Sequence, residues 1–287
     1  MNKSIQKMFE PLARRYELLN HIMTFGMDTL WRKEALRIAA ENVAAGTPAD
    51  PHADLNTGPN ADLNTDLNAT PSPGAGFSSV PAPELGLGVT PEHGRGLARR
   101  IWLDVSTGTG EMADMLSRRA GSGTTVLAAD FSIQMLRVAA RKKSARAGRM
   151  LVLAADDGRL PFRDASVDLV TISVGTRNLN SSRDALLSCF REFCRVLRPG
   201  GRFVNLETSQ PRARVVRWLF HAYVNWLVRP VASALSGHRP AYSYLAASMC
   251  GFYDAEELAT IIREAGFSRV KVAPVLLGIA AIHVAHK

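Results

Sequence analysis

The sequence lacks the features that would place it across a membrane or in an oxidising compartment. Its three cysteines (Cys189, Cys194 and Cys250) are odd in number and have no CxxC spacing, so we expect reduced thiols and no metal site. The longest apolar stretch near the C-terminus, 272–285, is interrupted by proline, glycine and histidine and is too short to span a bilayer. Residues 1–10 are mixed and polar, without the apolar centre of a secretory signal. These absences favour a cytoplasmic protein.

Acidic residues are scarce outside one segment. The 287 residues carry a formal charge of +9, but residues 44–98 hold six acids and one base, so the remainder carries about +14. Such a surplus suits nucleic acid or an anionic membrane surface, and it is equally compatible with a soluble surface. Six bases without an acid lie in and just after a helix predicted at 132–147, where a solvated face is the simpler interpretation and membrane or nucleic-acid contact the alternative.

The first hundred residues divide into two parts. In residues 1–43, apolar residues recur at three- and four-residue steps from Met8 to Met23, and the pattern resumes over 28–40. This predicts a helical lid, which covers a cofactor or packs on a core. Residues 44–98 repeat Asp-Leu-Asn amid Pro, Gly, Ala and Thr, without the dense Asp/Gly spacing of calcium-binding repeats. We interpret them as a disordered low-complexity insertion.

From residue 99 to 287, short apolar strands alternate with amphipathic helices. This alternation predicts an α/β fold with a doubly wound, mostly parallel sheet and helices on both faces. The seven predicted strands are 101–105, 125–129, 151–154, 167–173, 202–207, 268–275 and 278–285. The predicted helices are 111–119, 132–147, 183–197 and 254–265, with a further helix left open between the third and fourth strands.

The first strand leads into a glycine turn. The sequence IWLDVSTGTGEMA, 101–113, predicts strand, turn and helix, in which Gly108 and Gly110 let the backbone approach a ligand near free helix N–H groups. Its match to the dinucleotide pattern G-x-G-x-x-A is weak evidence alone. Asp130 follows Gly110 by twenty residues, at the end of the second strand, where it is placed to bond ribose hydroxyls. Capping the next helix is the alternative, although Ser132 is the better cap.

Ligands of such a sheet gather where its strands end. The first two ends supply 106–110 and Asp130, and the next two supply Asp156-Asp157 and Ser173. A dinucleotide oxidoreductase does not need acids at the end of the third strand. An adenosine bound across these strand ends does, because its exocyclic amine needs a hydrogen-bond acceptor there.

Several motifs together resemble class I S-adenosylmethionine-dependent methyltransferases, a Rossmann-like fold. They are DVSTGTGE, AADFSIQML, LPFRDASVDLVTISVG and RVLRPGGRF. A second group of stretches resembles the ubiquinone/menaquinone-biosynthesis C-methyltransferases: MFEPLARRYELLNHIMTFGMDTLWRKEAL, TISVGTRNL, LETSQP, YSYLAASM and GIAAIHVAHK. The likeness spans nearly everything except residues 44–98.

This resemblance implies S-adenosylmethionine as the cofactor and methylation of a polyprenyl quinol ring carbon, with demethylmenaquinol favoured over the ubiquinone-pathway benzoquinol. The implied cofactor-binding residues are Tyr16, Asp104, Ser106, Gly108, Thr109, Gly110, Asp130, Phe131, Asp156, Asp157 and Ser173. The chain departs from the usual family residues at Ser106, Thr107, Glu111 and Asp156-Asp157. It also departs near the implied quinol pocket, at Val174, Thr176 and 237–241.

The catalytic pair implied by the resemblance is Arg177 and Asn178. A guanidinium stays charged and offers fixed donors, so Arg177 suits stabilisation of a quinol anion but not proton abstraction, and Asn178 suits orientation of a water. A structural salt bridge is the alternative for Arg177. Tyr242 and Tyr244, which share a face of an extended segment or lie two apart on a turn, and His283 are expected to line the substrate pocket. Simple packing remains open for all three.

Residues 208–250 are predicted to cover the substrate. Within them 215–235 are apolar and aromatic but broken by charge and proline, which fits a cover for an isoprenoid tail, an interfacial helix or a core helix. We therefore expect a quinol methyltransferase, peripheral at the inner membrane face or a homodimer. The alternatives are a methyltransferase for a phenol or RNA, a non-catalytic cofactor-binding partner and, last, an NAD oxidoreductase. No aromatic-basic stacking motif supports nucleic acid.

Overall fold

The computed structural model describes residues 21, 24–41, 100–142, 149–236 and 239–287. The predicted insertion at 44–98 and the apolar stripe before residue 21 lie outside these residues. So does Tyr16, and the side chain of Tyr242 is likewise not described.

The strands lie within two residues of the predicted positions at each end, except that β5 begins five residues earlier than predicted. They are β1 Arg100–Asp104, β2 Thr124–Asp130, β3 Arg149–Ala154, β4 Val167–Ser173, β5 Leu197–Thr208, β6 Arg269–Val275 and β7 Ala280–His286. The helices are α1 Met27–Glu41, α2 Glu111–Arg119, α3 Ile133–Ala139, α4 Thr176–Leu179, α5 Arg183–Val196, α6 Arg214–Tyr223, α7 Arg229–Ser236, α8 Arg239–Cys250 and α9 Ala255–Glu264. Three further helical turns are described: 3₁₀ turns at Ala140–Lys142 and Leu276–Gly278, and a π-helical turn at Val224–Val228 between α6 and α7.

In the described part of the chain, the seven strands form one sheet in the order β3-β2-β1-β4-β5-β7-β6. Strands β1 to β5 are parallel, whereas β7 is antiparallel to both β5 and β6. The doubly wound, mostly parallel sheet is confirmed. Because the order reverses between β1 and β4, their carboxyl ends leave a crevice there, where ligands of such sheets bind.

Side chains on alternate positions of the strands fill two cores, one on each face of the sheet. On β1, Leu103 belongs to the core that α5 and α9 complete, whereas Trp102 belongs to the core completed by α1 and α2. The period-two alternation of a strand produces this division. Helix α1 is therefore part of the core at its Trp31 and Leu36 side, and Leu30 on its other side is 61% exposed.

Three local predictions change. The region between β3 and β4 contains turns and an isolated bridge from Asp156 to Arg159, and no helix is described there. Of the helix predicted at 132–147, residues 133–139 are α-helical and residues 140–142 form a 3₁₀ turn, while residues 143–147 lie outside the described part of the chain. Tyr242 and Tyr244 lie in helix α8, not in an extended segment. Positions two apart on a helix are about 200° apart around its axis, so the prediction that Tyr242 and Tyr244 share one face is wrong.

Other local predictions are confirmed. Asp254 caps α9 in a capping box with Glu257, and Ser132 caps α3. All three cysteines are free thiols. Among the described residues, no helix has both the length and the apolar character needed to cross a membrane.

Candidate active site

A cavity opens at the carboxyl ends of β1, β2 and β4. It receives eight of the predicted site residues: Asp104, Ser106, Gly108, Thr109, Asp130, Phe131, Ser173 and Asn178. The strand ends therefore meet as the sequence pattern predicts.

The glycine turn brings backbone to the wall of this cavity. Gly108 and Gly110 have φ of +57° and +80°, values that L-residues rarely adopt. A Cβ at Gly110 would lie 2.7 Å from the Cβ of Ala139, so only glycine lets α2 begin this close to α3. Gly110 thus shapes the turn without itself lining the cavity, whereas Gly108 lines it directly.

Asp104 fixes the turn from beneath. Its carboxylate accepts hydrogen bonds of 2.6 Å from the hydroxyls of Thr107 and Thr171. Burial raises the pKa of Asp104 to about 6, although these bonds oppose the shift. The side chain is 1% exposed, and its two hydrogen bonds tie the glycine turn to β4.

Asp130 lies between the turn and α3. Its two oxygens accept 2.8 Å hydrogen bonds from the backbone N–H groups of Gly108 and Ser132. Burial raises the pKa of Asp130, and the backbone bonds act in the opposite direction. A carboxylate oxygen accepts more than one bond, so Asp130 retains acceptor capacity on the cavity wall. This position fits a ribose hydroxyl.

The two acids after β3 are not brought to the cavity. Asp157 is buried and accepts bonds from the backbone N–H and the hydroxyl of Ser106, at 3.3 and 2.5 Å. Burial raises its pKa to about 7. Asp156 is exposed and accepts the N–H of Gly158, in a turn. The adenine role expected for this pair therefore stays a prediction, and the contacts of Asp157 hold the first loop.

Helix α1 supplies a cation that the sequence analysis did not single out. Arg32 lines the cavity, is 6% exposed, and donates from Nε to the hydroxyl of Ser173 at 3.2 Å. Its Nη1 lies 2.5 Å from Asp28 and 2.8 Å from Glu111. Asp28 and Arg32, four apart on one predicted helix face, were the signal available in the sequence.

His21, Asp28 and Glu111 place three ligand-type atoms within 4.8 Å of one another. His21 Nδ1 is 2.9 Å from Asp28, and its Nε2 is 3.4 Å from Glu111. Burial raises the pKa of Asp28, but the hydrogen bonds from His21 and Arg32 outweigh it and the net shift is downward. The guanidinium of Arg32 already supplies positive charge to both carboxylates.

A second cavity adjoins the first and shares Arg32 and Val174 with it. Most of the surface that lines it is apolar, although its walls also hold charged groups. Its other lining residues are Thr24, Asp28, Trp31, Arg177, Thr208, Leu245 and Met249. Val174 has φ of +57°, an outlier for a β-branched residue that stores strain where the cavities meet.

Arg177 lies in the wall of the second cavity and is paired with an acid. Its Nη1 is 2.6 Å from Oε1 of Glu207, and its backbone N–H donates to Oε2 at 3.1 Å. Glu207, which closes β5 in the stretch LETSQP, also accepts from the N–H and hydroxyl of Thr208. The salt bridge left open by the sequence analysis is present, and it holds the guanidinium at the cavity.

Asn178 lies in the wall of the first cavity. Its Oδ1 is buried and has no hydrogen-bond partner among the described residues. An amide oxygen in that position is costly unless a ligand or water donates to it. Asn178 is thus an acceptor available to a bound molecule.

His283 is not brought to either cavity. It is fully buried, its Nε2 lies 2.8 Å from the carbonyl of Ala255, and its Nδ1 lies 3.2 Å from Nδ2 of Asn205. Asn205 Oδ1 in turn accepts the hydroxyl of Thr176, the first residue of α4. The contacts match the packing alternative, and the substrate role stays a prediction. Tyr244 is partly buried, which raises its pKa, and the nearby charge of Arg177 opposes that shift.

Comparison with known proteins agrees with this geometry. Residues 75–287 match the model of the ubiE/COQ5 methyltransferase family. The chain belongs to this family. A demethylmenaquinone methyltransferase of Thermus thermophilus is 34% identical over 96% of this chain and 98% of its own. A ubiquinone/menaquinone biosynthesis C-methyltransferase UbiE of Paracoccus denitrificans is 40% identical over 63% of this chain and 71% of its own.

A solved structure supports the fold. A possible exported protein from Bordetella parapertussis matches with a TM-score of 0.50 and 17% identity, over 66% of this chain and 62% of its own.

The chain is therefore a methyltransferase whose cofactor is S-adenosylmethionine, and the residues of the first cavity fit that molecule. Asp130 offers acceptor oxygens for the ribose hydroxyls. No atom lies within 4 Å of the position that a Cβ would take at Gly108, so a ligand can approach the backbone there. Oδ1 of Asn178, which has no partner among the described residues, can accept a hydrogen bond from the ligand. When bound, S-adenosylmethionine supplies a methyl group on a sulfonium centre.

Proposed function

We propose that this methyltransferase methylates a ring carbon of a polyprenyl quinol, with demethylmenaquinol as its substrate. The observation that carries the proposal is the second cavity, which is mostly apolar, adjoins the cofactor cavity and has Arg177 in its wall. Relatives named demethylmenaquinone methyltransferase align with nearly the whole chain, which supports this acceptor.

In the proposed reaction a carbon–carbon bond forms between the ring and the methyl group as the carbon–sulfur bond breaks. The methylated carbon then loses its proton to solvent and the ring regains aromaticity. Positioning of ring carbon, methyl and sulfur in line supplies much of the rate.

Arg177 acts on the quinol rather than on the cofactor. A quinol oxygen that has lost its proton makes the ring carbon a better nucleophile, and a fixed guanidinium stabilises that anion. Glu207 holds the guanidinium in place, and an always-charged arginine leaves proton acceptance to a water. Asn178, with its available acceptor oxygen, orients that water or a bound hydroxyl.

Arg32 acts on the cofactor. It is a buried cation of the first cavity that already donates to Ser173, and its charge suits the carboxylate of the methionine half of S-adenosylmethionine. In this role α1 forms part of the site, so the predicted N-terminal lid contributes a side chain that binds the cofactor.

The second candidate is the benzoquinol of ubiquinone synthesis. The name of the Paracoccus relative includes both pathways, and this chain departs from the usual family residues at Val174 and Thr176, beside the proposed ring site. Either acceptor carries an isoprenoid tail, so we propose that the enzyme works as a peripheral protein at the inner face of the membrane.

A methyl-transfer assay with labelled S-adenosylmethionine tests the proposal. Reduced demethylmenaquinone and a reduced demethylated ubiquinone precursor are offered in detergent, separately. Label in menaquinol supports the proposal. Label only in the methylated benzoquinol would show that the substrate is the ubiquinone precursor and not demethylmenaquinol. Cofactor binding without transfer to either quinol contradicts it. Asn178→Ala removes an acceptor that has no partner among the described residues and is the variant of choice, with Thr260→Ala on the exposed side of α9 as the control.

A further inference from the structure

The segment that follows β5 has an unusual charge composition. From Thr208 to Tyr253 the chain contains no aspartate or glutamate, yet it contains five arginines, at positions 212, 214, 217, 229 and 239. The sequence therefore concentrates positive charge on α6, α7 and α8. Within this segment Arg212, Arg214 and Arg229 are exposed.

Helix α6 and the π-helical turn that follows it expose large apolar side chains. The outer apolar face, as we name it, comprises Val215, Trp218, Leu219, Trp226 and Leu227, which are 70, 68, 54, 85 and 44% exposed. On α6 the spacing of Val215, Trp218 and Leu219 is that of one helix side. Large apolar side chains that are exposed together on one short segment mark an interaction site more often than an ordinary surface.

The inner side of α6 is already occupied by the fold. Phe220 and Val224 are buried together with Ala246, and Met249 packs against this cluster. Met249 also lines the second cavity. Phe25, 71% exposed, continues the apolar surface, because its ring centroid lies 6.0 Å from that of Tyr223. Its neighbour Thr24 lines the second cavity too. Helix α6, which carries part of the outer apolar face, therefore packs through its inner side against a residue of the cavity proposed for the quinol.

We propose that the outer apolar face docks on a membrane surface that contains anionic lipid. Tryptophan and leucine side chains enter the boundary between headgroups and acyl chains, while the arginines contact lipid phosphates. The membrane-docking proposal rests on the proposed function in one respect. If the substrate is a polyprenyl quinol, docking of this face brings the second cavity to the lipid layer that holds the substrate.

Charge decides between this occupant and a second copy of the chain. A two-fold interface would place the same patch of each copy against the other, and with it two segments that hold five arginines and no acid each. Like charges opposed across an interface cost affinity, whereas an anionic bilayer complements them. A membrane is thus the better partner.

The tryptophans provide a direct readout. Of the four in the chain, Trp31 and Trp102 are 8 and 6% exposed, and Trp218 and Trp226 are the exposed pair. The full chain is mixed with vesicles of phosphatidylcholine alone, or of phosphatidylcholine with phosphatidylglycerol, some made with brominated acyl chains. We expect sedimentation with the anionic vesicles and quenching of tryptophan fluorescence by the bromines.

The key variant is Trp218→Ser with Trp226→Ser. We expect it to lower vesicle partitioning by roughly tenfold or more per tryptophan, because each loses the burial of a large apolar side chain. Arg214→Gln and Arg229→Gln should each lower it by roughly fivefold. The controls are two exposed side chains outside the docking segment. They are Val152→Ser, on the edge strand β3, and Arg191→Gln, on the solvent side of α5; neither should change partitioning.

Two outcomes overturn the proposal. One is vesicle binding that survives the tryptophan double variant. The other is a wild-type dimer by light scattering that the variant converts to monomer, without vesicle binding by either. Methyl transfer to a short-tailed quinol in detergent, measured in parallel, reports on the proposed function alone, because vesicle binding needs neither quinol nor cofactor.

Discussion

Nη1 of Arg177 lies 2.6 Å from Oε1 of Glu207, and the two side chains are 3% and 0% exposed. The pair joins the short helix α4 to the end of β5, thirty residues later in the chain. The guanidinium of Arg177 places a positive charge in the wall of a mostly apolar cavity, and the carboxylate of Glu207, which does not line that cavity, neutralises this charge in part. A guanidinium held in this way has a fixed direction toward whatever the cavity binds.

Removing the charge of Glu207 alone should destabilise the fold more than removing both charges. Glu207→Gln takes away the carboxylate that neutralises a buried guanidinium, and we expect a loss of about 3 kcal/mol in the free energy of unfolding. Arg177→Met with Glu207→Gln should recover much of this loss. Denaturant titration of both variants measures the difference.

The double variant also separates stability from catalysis. It should bind S-adenosylmethionine as the wild type does but transfer methyl to quinol far more slowly. A double variant no more stable than Glu207→Gln would show that the pair is not the source of the destabilisation.

Asp130 and Asp156 should differ sharply in their effect on cofactor affinity. Asp130 lines the first cavity, and Asp130→Asn removes a charged acceptor, so we expect S-adenosylmethionine to bind roughly ten- to a hundredfold more weakly. Asp156→Asn, at an exposed residue outside the lining of that cavity, should leave affinity nearly unchanged. Calorimetric titration of both variants decides the matter, and a large effect of Asp156→Asn would restore the adenine role that the family resemblance implies.

The buried carboxyl of Asp157 should make the fold less stable as pH rises. Burial raises its pKa from 3.8 to about 7, so between these values the folded state binds more protons than the unfolded state. The free energy of unfolding then falls with pH over this window, by up to about 1.4 kcal/mol per pH unit, and levels off above pH 7.

Asp157→Asn should remove this contribution while its amide still bonds Ser106. Denaturation curves for wild type and variant between pH 4 and 8 give the comparison. The gain in stability of the variant should grow with pH; a constant difference would mean that Asp157 does not titrate in this range.

His283 should influence catalysis through position, without touching substrate. Its Nε2–H donates to the Ala255 carbonyl and its Nδ1 accepts from Asn205, which accepts in turn from Thr176 at the start of α4. Burial lowers the pKa of His283, which favours this neutral form. His283→Leu breaks the chain of bonds behind the helix that carries Arg177 and Asn178.

For His283→Leu we expect a loss of about 1–3 kcal/mol in unfolding free energy and a lower kcat, with KM for quinol little changed. Restoration of kcat by His283→Gln, whose amide can both donate and accept, would support positioning. A selective rise in KM would instead favour the substrate-binding role predicted from the sequence.

Local patterns determined much of this protein. Apolar runs of strand length, the glycines at 108 and 110, and the caps at Ser132 and Asp254 act over a few residues, so their structures follow from period and turn chemistry. Because parallel strands place their carboxyl ends along one edge, the sequence also predicted that Ser106, Asp130 and Ser173 would meet.

The pairings between distant residues were decided by the tertiary structure alone. Arg32 reaches Ser173, 141 residues away, only because α1 packs on the sheet beside the end of β4. Glu207 bonds Arg177 because β4 and β5 are neighbours in the sheet. Asp157 bonds Ser106 because the loops that follow β3 and β1 come together, although β2 lies between those strands. A side chain's partner depends on which strands are adjacent and on which groups burial leaves in need of hydrogen bonds, and neither is encoded in the spacing around that side chain.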